Sequence, residues 1–354
     1  MGIKNLHQFL RKKCPEAYQE VHLSQLAYKK VAIDVSLFIF KYKSAVGERW
    51  LQSFINLILC LRRNNVHCYF VFDGPSPIEK AKEKQRRKDS KKKIDDKAND
   101  LEFAIDKYHQ DGEIMPILLE TMKRRKSPAK VKKLLGAKRE KTIDIKWLEK
   151  YLERIRGQVV KMTSQDIENA KQLFDLLQIP YITSLSEAET LCAHLSRDDK
   201  VFAALSEDTD LLPSGCKMFL HKLNTRNDTC MLLNIEDILN SLEITFQQFQ
   251  DFCIMCGTDY NSNLPKIGPV GAFKLITTHG TLDDFPEEID RSSLNYVRVR
   301  EIFSTYAADL PDTQYCGTPD LEALQLFLVK INCRNAIGEI KRTLKPSELT
   351  FVNE

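Results

Sequence analysis

The chain has 354 residues, 43% of them hydrophobic, enough to bury the core of one large domain or two closely joined ones. Its longest apolar run, residues 54–61 with Asn56 inside, is far too short to cross a bilayer, which excludes a helical membrane protein. Ten scattered cysteines without framework spacing and no signal-peptide pattern point to a reducing intracellular compartment, and the net charge of +4 is small but unevenly spread.

The opening MGIKNLHQFLRKKCP reads as a short amphipathic helix. KKVAIDVS predicts a buried strand closing at Asp34, residues 48–63 a helix, and VHCYFVFDG a second buried strand closing at Asp73. Such βαβ steps predict a parallel sheet with helices on its faces. From Ser76 to about Gly112 the chain is charged and mostly helical in pattern. Within it, KAKEKQRRKDSKKK (80–93) holds nine Lys or Arg against Glu83 and Asp89. Residues 113–157 are also basic, and KRRKSPAKVKKLLGAKREK (123–141) carries one acid, Glu140. The two blocks fit either a polyanionic partner or two solvated helices. KRRKSP also fits a nuclear import signal.

The alternation then resumes. Thr163 to Gln178 predicts a helix with a good N-cap, IPYIT a strand, SEAETLCAHLS a helix and KVFAALS a strand. CKMFLHKL and TCMLLNI continue the pattern, and Thr245 to Gly257 predicts a helix. Cys253 and Cys256 form a lone CxxC inside that helix, where a core role outweighs zinc or redox chemistry. The final seventy-odd residues read as mainly helical.

Seven carboxylates stand at the ends of apolar runs or at the starts of predicted helices: Asp34, Asp73, Glu187, Glu189, Asp208, Asp210 and Asp259. Each has a plainer reading: an Asp-Gly turn for Asp73, a helix cap for Asp34, a favourable dipole position for Glu187 and Glu189. Active sites of open α/β sheets form at the carboxyl ends of the strands, so Asp34 and Asp73, which each close a strand, can point into one crevice. An all-oxygen set without His or Cys suits a hard cation. Two Mg²⁺ ions about 4 Å apart can activate water and stabilise the leaving oxygen of a phosphodiester.

With these residues the chain resembles the flap endonucleases, structure-specific 5′ nucleases that cut branched DNA. The resemblance runs from Met1 to about His279, outside the long insertion. Its pieces stand in the family's order: MGIKNL, VAIDVS, VFDGPSP, EAE, SEDTD, CGTDYN and KIGPVGAFKLI. It implies a PIN-like α/β nuclease core, a central mostly parallel twisted sheet flanked by helices, with a basic helical arch inserted and a helix–two-turn–helix element. The implied segments are 1–75 and 161–244 as halves of the core, 76–160 as the arch, 245–300 as the helix–two-turn–helix region and 301–354 as a helical C-terminal segment. Asp34, Asp73, Glu187 and Glu189 would serve mostly one Mg²⁺, and Asp208, Asp210 and Asp259 mostly the other, with Mn²⁺ able to substitute. Lys80 and Arg87 match the family's catalytic cations; seven residues apart, they share a face if the segment is helical. Phe40 stands where a base-stacking tyrosine is frequent; a core role is the alternative.

In KIGPVGAFKLI, Gly268 and Pro269 would turn backbone amides toward a duplex phosphate, where the family implies a K⁺ ion. Lys266 replaces the hairpin's first glycine, and Val270 and Gly271 replace two frequently basic positions. Arg86, Lys91, Lys92, Arg124 and Arg125 are the expected phosphate contacts of the arch. HGTLDDFP (279–286) faintly resembles a sliding-clamp motif but reads as a turn and cap, and the tail KPSELTFVNE carries none. The chain's compact length resembles members encoded by large DNA viruses. The expected protein is a monomer acting on 5′ flaps, with 5′-exonuclease activity as a second output, at nuclear or cytoplasmic sites of DNA replication, repair or recombination. The alternatives are the same chemistry on bubbles, gaps, four-way junctions or RNA, or a catalytically silent DNA-binding scaffold.

Overall fold

A seven-stranded sheet organises the computed structural model, which describes residues 2–123, 143–306 and 308–344. Its strands are β1 (Gln19–His22), β2 (Lys30–Asp34), β3 (His67–Phe72), β4 (Tyr181–Thr183), β5 (Ala203–Leu205), β6 (Met218–Asn224) and β7 (Thr229–Asn234). The order is β1-β7-β6-β5-β2-β3-β4. Pairings from β6 through β4 are parallel, whereas β7 runs antiparallel to both β6 and β1. The mostly parallel α/β core expected from the sequence is therefore present, with one antiparallel edge. The reason for that edge is chain length: four residues, 225–228, join β6 to β7, enough for a hairpin and far too few for a crossover.

The chain divides into two compact units. The first comprises residues 1–42, 48–83 and 162–354; the second comprises 43–47 and 84–161. In chain order the helices are α1 (Leu6–Lys13), α2 (Val35–Val46), α3 (Trp50–Arg63), α4 (Ala81–Asp111), α5 (Pro116–Lys123), α6 (Ile145–Arg156) and α7 (Ser164–Leu177). There follow α8 (Ala188–Arg197), α9 (Ile235–Leu242), α10 (Phe246–Cys256), α11 (Pro269–His279), α12 (Tyr296–Ser304), α13 (Leu321–Lys330) and α14 (Ile337–Thr343). Among the described residues no helix is long and apolar enough to cross a membrane.

In the first unit the strands bury both faces, and the period-2 alternation shows how. Val31 and Ile33 of β2, with Cys68, Phe70 and Phe72 of β3, enter one core beside α3, α7 and α13. Ala32, Tyr69 and Val71 enter the other, beside α1, α8, α10 and α11. Capping boxes set two helix starts: Thr163 with Asp166 for α7, and Thr245 with Gln248 for α10. Cys253 and Cys256 point into the core, where burial pushes their thiols up, that of Cys256 to about 12. The clamp-like segment is structural: Thr281 and Asp284 form a capping box while Leu282 and Phe285 are buried.

The second unit has its own small core. Ile94, Ala98, Leu101, Ile105 and Tyr108 recur on α4 at alternating four- and three-residue steps and meet Leu118, Leu148 and Ile155. Arg156 pairs with Asp95 at 2.9 Å and with Glu102 at 2.5 Å, tying α6 to α4. The start of α4 has no such apolar stripe, and its lysines and arginines are mostly exposed.

Candidate metal-dependent active site

All seven predicted carboxylates lie at the carboxyl ends of β2 to β5 or just after α10, within the first unit. Asp34 is the last residue of β2, and its Oδ1 accepts the Leu37 N–H at 3.2 Å, so it also caps the start of α2. Asp73 follows β3 and accepts the Ala188 N–H at 2.9 Å from the first turn of α8. The close approach there requires Gly74, because a Cβ would sit 2.1 Å from the Ser184 carbonyl oxygen. Glu187 is the N-cap residue of α8, and Glu189 lies in that helix's first turn. After β5, Asp208 caps a short 3₁₀ turn by accepting the Asp210 N–H at 3.1 Å. The opening Met-Gly pattern belongs here too: a Cβ on Gly2, at φ +81°, would lie 2.1 Å from Asp208 Oδ1.

Burial and mutual repulsion mark the cluster. Asp34, Glu187, Glu189, Asp208 and Asp210 are buried, Asp259 is half-buried and Asp73 is exposed. Burial raises the carboxyl of Asp34, and the nearby Asp73 adds to the effect against the opposing Leu37 amide. Burial likewise raises Glu189 and Asp210, each reinforced by Asp208. Both oxygens of Asp210, and Oε1 of Glu189, are buried without a hydrogen-bond partner. Unpaired buried carboxylate oxygens are costly and call for a cation. The donor set, all oxygen and no thiol or imidazole, fits a hard divalent ion.

One cation already stands among them. Lys80 Nζ lies 2.6 Å from Glu187, 3.2 Å from Asp259 and 3.6 Å from Glu189. Burial alone would lower its pKa, but Glu189, Glu187 and Asp259 outweigh that and hold it charged. Among the described residues no three ligating side chains are drawn into a finished metal cage. The ammonium instead occupies part of the space between the carboxylates.

Tyr260 completes this arrangement, and its role was not read from the sequence. Its hydroxyl donates to Glu187 Oε2 at 2.5 Å, and Lys80 Nζ sits 5.7 Å from its ring centroid. It is buried, with Phe303 edge-on behind it at 5.7 Å. The signal was available as the aromatic directly after Asp259 in CGTDYN, where it looks like an ordinary core residue.

The remaining predicted residues are placed as follows. Lys80 closes a 3₁₀ turn (Ile78–Lys80) ahead of α4, and Arg87 lies on α4 in the second unit. Phe40 is half-buried on α2 and lines a cavity of about 700 Å³ with Leu37, Lys41, Glu207, Lys222 and Arg226. Arg86 and Lys92 are exposed on α4, and Lys91 reaches the Val160 carbonyl at 3.5 Å. Arg124 and Arg125 lie outside the described residues. Lys266 adopts φ +62°, the left-handed conformation that glycine takes freely and other residues take at roughly 1–2 kcal/mol. Gly268 is exposed and is the N-cap residue of α11, with Pro269 as its first residue.

Comparison with known proteins follows the same residues. The XPG N-terminal domain model matches residues 1–94, and the XPG I-region model matches residues 178–259. The first stretch contains Asp34, Asp73, Lys80 and Arg87; the second contains the other five carboxylates. A probable RAD2-like endonuclease of Invertebrate iridescent virus 3 is 31% identical, over 93% of each chain. Flap endonuclease 1-A of Sorghum bicolor is 29% identical over 94% of this chain and 83% of its own. Among solved structures, the catalytic core of Rad2 in complex with DNA substrate superposes with a TM-score of 0.67 at 18% identity. That match covers 97% of this chain and 100% of the other, and shows the same fold.

Proposed function

This chain belongs to the RAD2-like and flap endonuclease family, and we propose that it is a divalent-metal-dependent endonuclease hydrolysing phosphodiester bonds in branched DNA with a 5′ single-stranded flap. The observation that carries this reading is the convergence of Glu187, Glu189 and Asp259 on one charged lysine, beside Asp210, whose two oxygens are buried without a hydrogen-bond partner. Asp34, Asp73, Glu187 and Glu189 would hold mostly one Mg²⁺, and Asp208, Asp210 and Asp259 mostly a second, with Mn²⁺ as a substitute. When bound, such ions make water a stronger nucleophile at neutral pH and offset charge on the leaving oxygen.

The chain's own groups would do the rest. Lys80 keeps its charge at neutral pH and can meet the negative charge that develops on the scissile phosphate. Tyr260 holds Glu187 and, through its ring face, the lysine. Phe40 offers a ring edge at a cavity wide enough for a nucleotide base. Arg87 would add a second cation on the phosphate, and Arg86, Lys91, Lys92, Arg124 and Arg125 would follow the 5′ strand. The Lys266–Gly268 turn would hold the duplex arm, with a K⁺ ion between backbone and phosphate. Fraying of the terminal base pairs to expose the scissile bond costs a few kcal/mol. The expected products are a 5′-phosphate and a 3′-hydroxyl.

A labelled 5′-flap duplex tests the proposal. The wild type should cut near the junction with Mg²⁺, faster than it cuts plain duplex. Asp208→Asn should bind the flap and not cut it. Full activity in that variant would remove the site from the mechanism, and tight flap binding by the wild type without turnover in Mg²⁺ or Mn²⁺ would leave a silent scaffold.

A further inference from the structure

The last turn of α1 carries Arg11, Lys12 and Lys13, all exposed. The helix beneath them is fixed: Leu6, Phe9 and Leu10 are buried, and Phe9 packs on Phe252 of α10 at 4.9 Å and Phe273 of α11 at 5.2 Å. The cations therefore ride on the same packed group as the two helices that flank the Lys266–Gly268 turn. Lys13 Nζ reaches within 5.9 Å of the Phe273 ring centroid, on the flank of α11. Lys274, one residue further along α11, is also exposed. By contrast, the first turn of α11 offers an exposed Val270 and Gly271 and no cation of its own.

Arg11 continues the basic surface in another direction. It lies 5.2 Å over the Tyr18 ring, and together with Lys222 it acts on the stacked pair His7 and His221. Lys222 lines the same cavity as Phe40. The α1 cations thus sit on the flank of α11, with Arg11 over the Tyr18 ring.

The neighbouring negative charge does not absorb them. Helix α9 also packs on α1 and carries Glu236 and Asp237. Among the described residues, no carboxylate forms an ion pair with Arg11, Lys12 or Lys13. A helix dipole favours cations in a last turn, but it does not direct them toward a neighbouring helix. Three adjacent exposed cations without a carboxylate partner suit a phosphate backbone better than unpaired bases, which call for exposed stacking surfaces.

We infer that the C-terminal turn of α1, through Arg11, Lys12 and Lys13, is a second contact for the backbone of duplex DNA, alongside the Lys266–Gly268 turn. This rests on the DNA-cleaving reading above. It places part of the duplex grip on α1, next to a hairpin helix whose own first turn is uncharged. The contact is with phosphates, so it sets affinity and register and carries no sequence preference.

The test measures flap-duplex affinity across a salt series by fluorescence anisotropy. It uses the full chain carrying Asp208→Asn so that no DNA is consumed. Each phosphate contact contributes about 0.9 to the slope of log affinity against log salt, so R11A/K12A/K13A should flatten the slope by roughly 2–3. The loss should shrink when the duplex arm is shortened and persist when the flap is shortened. An unchanged slope overturns the α1 contact while leaving the nuclease reading intact; a parent protein that does not bind flap DNA overturns the nuclease reading itself. A second measurement needs no variant: acetylation of Lys12 and Lys13 in the wild-type chain should be blocked by duplex-bearing DNA and not by a single strand. Equal reactivity with and without duplex would also overturn the proposal.

Discussion

At the amino ends of the parallel strands, polar groups are paired. Lys30 at the start of β2 donates to the Thr313 hydroxyl at 2.7 Å, and His67 at the start of β3 accepts the Cys316 N–H at 3.2 Å. The Gly317 N–H reaches the Gln178 carbonyl at 2.7 Å, and Lys200 meets Asp312 at 3.0 Å. An irregular segment before α13 thus binds down this end of the sheet. At the carboxyl ends the opposite holds: carboxylates crowd together, burial raises the carboxyls of Asp34, Glu189 and Asp210, and both oxygens of Asp210 have no hydrogen-bond partner. One end of the sheet is finished by the chain itself and the other is not, which is the signature of a site that spends stability on binding.

The largest expected effect sits at the unfinished end. Asp210→Asn should slow flap cleavage by on the order of 10³-fold. The same change should stabilise the metal-free protein by about 1–3 kcal/mol in denaturant unfolding, because it removes a buried unpaired charge. A variant that is both active and destabilised would break the contrast. His67→Ala should do the reverse at the finished end, lowering stability by about 2 kcal/mol with the cleavage rate within about twofold of wild type. Tyr260→Phe should reduce the single-turnover rate by about tenfold with little change in stability, since the ring stays packed and only the bond to Glu187 is lost.

The smallest effect concerns an unpaired buried group away from the carboxylates. His221 is fully buried with neither ring nitrogen bonded, stacked on His7 at 4.6 Å. Burial, then His7, Lys222 and Arg11, push His221 down to about 3; burial and then Arg11 and Lys222 push His7 down to about 4. The unfolded chain takes up protons near pH 6.5 that the fold refuses. The stability from this stack is therefore present above about pH 6.5 and is lost as pH falls toward 4. His221→Phe should raise stability by on the order of 1 kcal/mol at pH 5, read by thermal melting, and leave neutral-pH cleavage unchanged. If cleavage fell as well, an unpaired polar group beyond the metal-facing end would also be functional.

The sequence showed the parts that depend on local pattern. KKVAIDVS and VHCYFVFDG are apolar runs ending in an acid, so β2, β3 and their carboxylates could be read directly. β1 could not: QEVH has one buried position and becomes a strand only by pairing with β7, Gln19 opposite Leu232. The closing region was expected to be mainly helical, yet residues 308–320 form neither helix nor strand, and their hydrogen bonds run to the sheet end. Lys80 looked like its solvated neighbours Lys82 and Lys84, and only the fold shows that it alone of the three is buried among acids. Gly2 and Tyr260 stood inside quoted motifs, but their contacts with Asp208 and Glu187 join residues far apart in the chain.

The central claim is that the unfinished end of the sheet is completed by divalent cations. Calorimetric titration of Mn²⁺ into the DNA-free wild type and into Asp210→Asn tests it without reference to catalysis. The account predicts saturable binding in the wild type, weakened at least about tenfold in the variant. Identical isotherms for the two proteins, or no binding to a wild type that still cuts flap DNA, would contradict it.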